Sequence, residues 1–523
     1  MSGHFYVVDG DLSRIACDAW LLPTDNSFSI TASWSHILGM DSPSRLEESP
    51  WRSNEFARPF RSIDRSEVWL GKVGGQGTEG FVAAATQFVT GAAGRWRELA
   101  RQQNRRPLLA INQIGSGHGG GKFHKGEGLP AVMDAVRDLL EEDTIDADVV
   151  LVTWGETAKA AAQWYRRSNE WYLDRNWQFI HRNDALHAEA RRLADVLKEN
   201  QASIFLGAGV SAGAGLPTWN DLLEKVGASC TIPLRAEDIA RIGDPRDIAA
   251  LLASRLAKEN PPRSLGSAMA AQLAGTKFSL QHSLLASLPC SEYITTNVDD
   301  LFEKACTTNG RSIDVAPAIS RDSRRWLLKL HGSVTEPETM VFTRDSYLAM
   351  TRQSRALMGL VQAMLLTRHM IFVGYGLRDE DFHELMYEVR SAFPEGKPAK
   401  ELGTVLSLIE DPLQAELWGD TVKVISFHPP LPHDATSDDR ASAMAVAIPE
   451  LQKFLDLVGL HATESSSFVL DRTYETMLTE EEETFAKAIH QLLRTQPQQG
   501  ELWKNLRTLL DRFGLPRTGE EHR

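Results

Sequence analysis

The chain has 523 residues, too many for one ordinary core, and its 42% hydrophobic and 24% charged content is that of globular domains. Its 56 Lys+Arg against 70 Asp+Glu give a formal charge of −14, which argues against general nucleic-acid binding, because that needs a basic surface to displace counterions. The four cysteines, Cys17, Cys230, Cys290 and Cys306, include no CxxC pair, so their spacing offers neither a zinc ribbon nor a disulfide framework.

The first residues carry no basic-then-apolar leader pattern. The most apolar long stretch, "LMGLVQAMLLTRHMIFVGYG", is interrupted by Gln362, Arg368 and His369 and reads as a buried helix followed by a strand. The expected setting is therefore the reducing cytoplasm, without a membrane partner.

Nine of the 13 tryptophans precede residue 180, which sets the first third apart. There "FYVVDGDLSRIACDAWLLPTDNSF" predicts a strand, a Gly10-Asp11-Leu12 turn and a second strand ending at Asn26. A glycine-rich run, "GKVGGQGTEGF", follows. Further on, "RPLLAINQIGSGHGGGKFHKGEGLPAVMDAVRDLLEE" predicts a strand, a glycine loop and an amphipathic helix, and "ADVVLVTWG" another strand. Leu186, Ala190, Leu193 and Leu197 lie at helical spacing, so that helix is read as the joint into a second domain. The expected division is 1–185, 186–460 and 461–523.

In the central region strands and helices alternate, predicting an α/β fold with a doubly wound parallel sheet. The strand Ala202–Leu206 runs into Gly207, Gly209, Gly213 and Gly215, with a helix expected from about Thr218. Such glycines let the backbone approach a phosphate at a helix N-terminus; they also let a helix pack tightly on a strand. Dehydrogenases carry an acidic residue at the end of the next strand roughly 20 residues on. Here that region, "WNDLLEKVGAS", is still helix, which counts against hydride transfer.

Three more strand ends carry polar groups. "SEYITTNVDDLFEKA" stops at Thr296 and yields Asn297 and Asp299, residues that also suit a helix N-cap. "WLLKLHGSV" places His331 at the exit of the strand Leu327–Leu330. "HMIFVGYGLRDEDF" runs into Gly374 and Gly376, after which Asp379 and Asp381 begin a helix. "TVLSLI" and "VKVISF" complete the sheet, and two charged helices follow Asp471. Ligands of doubly wound sheets bind outside the carboxyl ends of the strands, where all these groups fall.

In this order "GAGVSAGAGLP", "TTNVDDLFE", "KLHGS" and "FVGYGLRDEDF" resemble the NAD-binding core of the sirtuin family, over roughly 202–460. The closer likeness is to the sirtuin-like domains of bacterial antiphage defence proteins. The resemblance implies NAD as substrate, with Gly207, Ala208, Gly209, Ser211 and Gly213 around the pyrophosphate and Thr296 beside them. It implies that Asn297 orients the attacking water at the ribose C1′ and that Asp299 contacts the nicotinamide carboxamide. His331 would meet the ribose hydroxyls and act as a base, and Gly374, Tyr375 and Gly376 would flank the adenosine. Deacetylases of the family add a four-cysteine zinc module and an Asp-Phe-Arg step after the proline. This chain has neither, carrying Thr218, Trp219 and Asn220 at that step, which counts against lysine deacylation.

The implied function is a metal-free NAD+ hydrolase giving nicotinamide and ADP-ribose in antiphage defence. Because an unrestrained NADase starves its own host, control by oligomerisation, a nucleotide signal or a partner protein is expected. Alternatives are ADP-ribosyl transfer in the same pocket and a catalytically silent NAD or nucleotide sensor. The first third resembles macro domains, which implies that Asp11 meets adenine, Asn26 the ribose, and Gly115 and Gly117 the diphosphate. Pro23 stands where the first of the usual paired asparagines would be. "GKVGGQGTEGF" is also similar to the nucleotide-sensing SLOG-type fold, and a degenerate assembly module is the plainer reading.

Overall fold

The computed structural model describes residues 3–114, 125–141, 145–169, 172, 177, 184–275, 277–307, 312–353, 355–375, 380–394, 401–495 and 500–516. It divides into two units, one of residues 1–191 and 456–523, the other of residues 192–455. Among the described residues no helix is long and apolar enough to cross a membrane.

In the first unit the strands are β1 (Phe5–Asp9), β2 (Ala19–Thr24), β3 (Ser29–Ile30), β4 (Ser44–Arg45), β5 (Ala57–Ile63), β6 (Ser66–Lys72), β7 (Leu108–Asn112) and β8 (Asp148–Thr153). Six of them form one sheet in the order β1-β8-β7-β2-β6-β5, parallel except for the antiparallel pair β5–β6. β3 and β4 pair separately. The helices Gly77–Gln102 and Lys125–Glu141 bury Phe81, Phe88, Val132 and Val136 in a core with Phe5, Leu21 and Val149. That core also contains Phe468, Tyr474 and Met477, so residues following the second unit in sequence belong to the packing of the first. Buried Asp456 accepts from Arg166 Nη2 at 2.6 Å and lies 2.8 Å from His4 Nε2. The two charged helices expected after Asp471 are Glu480–Thr495 and Glu501–Asp511.

The second unit holds a seven-stranded, wholly parallel sheet in the order β11-β12-β10-β9-β13-β14-β15. Its strands are β9 (Ala202–Leu206), β10 (Glu292–Thr295), β11 (Asp314–Ala316), β12 (Trp326–Lys329), β13 (His369–Val373), β14 (Gly403–Ser407) and β15 (Val422–Ser426). All five residues of β9 are buried, as a strand covered on both faces requires, which is why the sequence there is a plain apolar run rather than an alternation. From β9 the chain goes to β10 on one side and, later, to β13 on the other. That reversal is the switch point at which doubly wound sheets open a crevice.

Two features depart from the sequence reading. The glycine turn is itself helical over Ala208–Ala212 before the expected helix starts at Trp219. Thr218 caps that second helix in a reciprocal box with Asp221. Between β9 and β10 the chain also inserts the helices Ala236–Ile242, Pro245–Leu256 and Leu265–Leu273. Their apolar faces meet Leu223, Val226 and Phe342 in a separate core that Val298 and Val334 join from the ends of the strands. Short helices and the three-residue β11 carry too few periods to be legible in sequence.

Candidate functional site

The site is built where β9 and β13 end side by side. Gly207 N–H donates to Val373 O at 2.9 Å and Gly209 N–H to Gly374 O at 3.0 Å. A Cβ on Gly207 would lie 2.3 Å from Gly374 O, and one on Gly374, at φ +66°, would lie 2.7 Å from Val210 N. No other residue fits either position, because a methyl group would have to displace backbone. The two glycine turns thus knit together, while Ala208 and Gly209 keep an exposed outer edge.

On the other side of β9, the β10 exit is tied to the same turn. Thr295 Oγ1 donates to Leu206 O at 2.9 Å and accepts Asn297 N–H at 3.0 Å. The Asn297 amide then donates from Nδ2 to Gly207 O at 3.0 Å and to Ser211 Oγ at 3.1 Å. A carbonyl can only accept, so the nitrogen must face Gly207 and Oδ1 is the end left to accept a further hydrogen bond. Ser211 Oγ donates to Asp299 Oδ2 at 2.8 Å, and Asp299 Oδ1 accepts Leu301 N–H at 3.1 Å. Asp299 therefore acts both as the expected helix-end acceptor and as the neighbour of Ser211.

His331 follows β12, which pairs with β10 in the register Thr295↔Lys329. Leu330 N–H donates to Thr295 O at 2.9 Å and Val334 N–H to Val298 O at 2.8 Å. These bonds tie the chain leaving β12, which carries His331, to the chain leaving β10, which carries Asn297. The imidazole is buried, with its ring edge-on to Tyr347 at 5.2 Å.

The remaining expected residues are placed as follows. Thr296 and Gly374 are half-buried, and Gly213 is exposed at the end of the short helix. The Tyr375 ring packs into the sheet core, 4.7 Å from Phe205. Gly376, Asp379, Gly115 and Gly117 lie outside the described residues. In the first unit, Asp11 accepts from Ser13 N–H at 2.9 Å and from its hydroxyl at 2.7 Å, while Asn26 is exposed. Among the described residues no three His, Cys, Asp or Glu gather in a set that could hold a metal ion.

Two side chains beneath the site were not anticipated. Lys329, buried within β12, donates to the Asp299 carbonyl and pairs with Glu303 at 2.5 Å. Burial raises the Glu303 carboxyl above its ordinary range while the Lys329 ammonium opposes the rise. A lysine inside "WLLKL" was the available signal, since buried lysines are almost always paired. His282 lies 3.4 Å from Ser211 Oγ and 2.8 Å from Ser279 Oγ, and burial pushes its imidazole down to about 4 against the pull of Asp299. The Ser-x-x-His spacing before an apolar run was legible as a cap but not as part of a site.

Residues 291–420 match the SIR2-like domain family; the matched stretch includes Asn297, Asp299, His331 and Gly374. The chain is 27% identical over 214 residues to the NAD(+) hydrolase ThsA of Acinetobacter baumannii, covering 39% of this chain and 42% of that protein. It is also 27% identical over 201 residues to the NAD(+) hydrolase ThsA of Cytobacillus dafuensis, with 37% and 39% covered. A shorter match, 30% identical over 116 residues, covers 21% of this chain and 12% of the Bacillus subtilis protein named defense-associated sirtuin 2. Thus the chain spans about two fifths of the length of the first two relatives. Among solved structures, the Oceanobacillus iheyensis macrodomain with ADP aligns over 31% of this chain and 89% of its own, at 12% identity and a TM-score of 0.23.

Proposed function

We propose that the second unit is an NAD+ glycohydrolase: NAD+ and water give nicotinamide, ADP-ribose and a proton. The observation that carries the reading is the Asn297 amide, pinned by Gly207 O and Ser211 Oγ at the sheet's switch point. With both Nδ2 hydrogens engaged, Oδ1 is the atom that can accept a hydrogen bond from water and so aim the water's lone pair at the ribose C1′. Orientation alone lowers such a barrier substantially. The C1′–N bond breaks with its electron pair moving to the cationic pyridinium, so nicotinamide leaves neutral. What then needs stabilising is an oxocarbenium-like ribose. Attack by water forms the new C1′–O bond, and the released proton passes to a base, the role assigned to the imidazole of His331. Ala208, Gly209, Ser211 and Gly213 would border the pyrophosphate with Thr296 beside them, Asp299 the nicotinamide end, and the Gly374 turn the adenosine.

The relatives' names, NAD(+) hydrolase and defense-associated sirtuin, support NAD+ hydrolysis in a defensive role; phage as the target and the cytoplasm as the setting are part of the proposal. The first unit is read as the seat of control, through self-association, a nucleotide near Asp11 and Asn26, or a partner protein. The test is nicotinamide release from NAD+ by the purified full chain and by its Asn297→Ala and His331→Ala variants, repeated in cells during phage infection. Wild-type turnover that both variants lose supports the reading. Intact NAD+ in both settings, or undiminished turnover by Asn297→Ala, overturns it.

A further inference from the structure

Asn297 owes its orientation to Ser211, and Ser211 is held from behind by a residue only 1% exposed. A serine hydroxyl has one hydrogen to give and two lone pairs to fill. Ser211 gives its hydrogen to Asp299 Oδ2 at 2.8 Å and takes one from Asn297 Nδ2 at 3.1 Å. Its remaining lone pair has His282 Nε2 within reach at 3.4 Å. At the far end of that ring, the backbone N–H of Ser279 donates to Nδ1 at 3.2 Å. Nδ1 must therefore keep its lone pair, and the hydrogen of the neutral ring sits on Nε2, directed at Ser211.

We propose that His282 is a positioning residue for the reaction assigned above: its Nε2–H completes the coordination of Ser211 Oγ and so fixes the hydroxyl that holds the Asn297 amide and the Asp299 carboxylate. The kinetic consequence rests on the hydrolase reading; the tautomer does not. Ser211 alone cannot supply this order. Without a donor behind it, its hydroxyl hydrogen is free to turn away from Asp299, and Asn297 loses one of its two anchors. Because the network is buried, water cannot substitute for the missing group. Ser279 Oγ accepts His282 N–H at 3.3 Å and, with Nδ1 unprotonated, gives its single hydrogen to that nitrogen at 2.8 Å rather than to the Val210 carbonyl 3.3 Å away, so the ring is fastened at its far end to the start of its own helix.

A simple helix cap makes a different prediction. His282 closes a capping box on the helix Leu280–Ala286 through Nδ1, and that task needs only an acceptor near Ser279. Two variants separate the roles, because an asparagine amide mimics Nδ1 and a glutamine amide mimics Nε2. His282→Asn keeps the cap and deletes the donor to Ser211. His282→Gln keeps the donor and loses the cap. If His282 positions the site, His282→Asn lowers kcat about tenfold or more with KM and Tm near wild type, and His282→Gln keeps kcat within about threefold despite a lower Tm. Full kcat in His282→Asn, or equal loss in both variants tracking Tm, overturns the proposal. Independently of turnover, 15N resonances of His282 in the full chain should report a protonated Nε2 and an unprotonated Nδ1; the opposite tautomer also overturns it. A wild type without turnover would defeat the hydrolase reading and leave the tautomer measurement to decide this one.

Discussion

Replacing Gly374 by alanine tests whether the two glycine turns are held together by backbone contact. At φ +66° an alanine pays for a left-handed conformation, about 1–2 kcal/mol. Its methyl carbon would also sit 2.7 Å from Val210 N and 3.0 Å from Gly209 C, and overpacking of that kind typically costs about 1–3 kcal/mol. The sum is about 2–5 kcal/mol, concentrated at the ends of β9 and β13. Two other glycines separate the contributions. Gly215 has φ +77° with nothing within 4 Å of a built Cβ, so Gly215→Ala carries the conformational cost alone, about 1–2 kcal/mol. Gly359 lies inside the helix Arg355–Thr367 with equally open space, so Gly359→Ala should stabilise by about 0.5–1 kcal/mol. With two units a single global unfolding energy is poorly defined, so the assay is native-state hydrogen exchange at the β9 and β13 amides. Exchange should quicken about thirtyfold or more in Gly374→Ala, and by clearly less in Gly215→Ala. Exchange within about twofold of wild type in Gly374→Ala would refute the close-contact argument.

Other outcomes follow from the buried charges. Burial pushes the Asp456 carboxyl up, but Arg166 and His4 outweigh it and hold the group below its ordinary value. Its stabilisation is therefore present above the unfolded carboxylate pKa and is lost as pH falls through the lower folded value. Asp456→Asn should cost the first unit about 3–5 kcal/mol at neutral pH by leaving Arg166 unpaired and should flatten that acid dependence, as urea titrations at several pH values would reveal. His282 has the same sign for a different reason: burial depresses a base to about 4, so the unfolded chain binds the extra proton first. Stability of the second unit should fall between about pH 6.5 and 4, by up to about 3 kcal/mol, and His282→Gln should abolish that component. Lys329→Met strands Glu303 and releases the Asp299 carbonyl, so it should cost several kcal/mol in the same exchange assay; an unchanged profile would show the pair to be dispensable. Phe205→Ala, which empties the contact with Tyr375 and Phe372, should cost about 3–5 kcal/mol.

Much of the second unit was legible because its signals are local. A buried parallel strand writes itself as a short apolar run, and a glycine turn or a polar residue at its exit marks the end that faces the crevice. Thus β9, β10, β12, β13, β14 and β15 are recoverable from one-dimensional pattern. So is the clustering of Asn297, Asp299 and Ser211 around Gly207, now a set of direct hydrogen bonds.

Only the folded chain decided what each residue touches. Tyr375 follows a glycine turn like any ligand-facing residue, yet its aromatic surface is better buried against Phe205, because a large apolar ring gains more from the core than from water. His282 and Lys329 stand in apolar segments remote in sequence from Asn297 and acquire their meaning from partners on other strands and helices. Composition and spacing determine where strands begin and stop, since those preferences are set by neighbours along the chain. Which buried polar groups complete one another is a matter of three-dimensional valence, settled when the sheet brings β9 between β10 and β13.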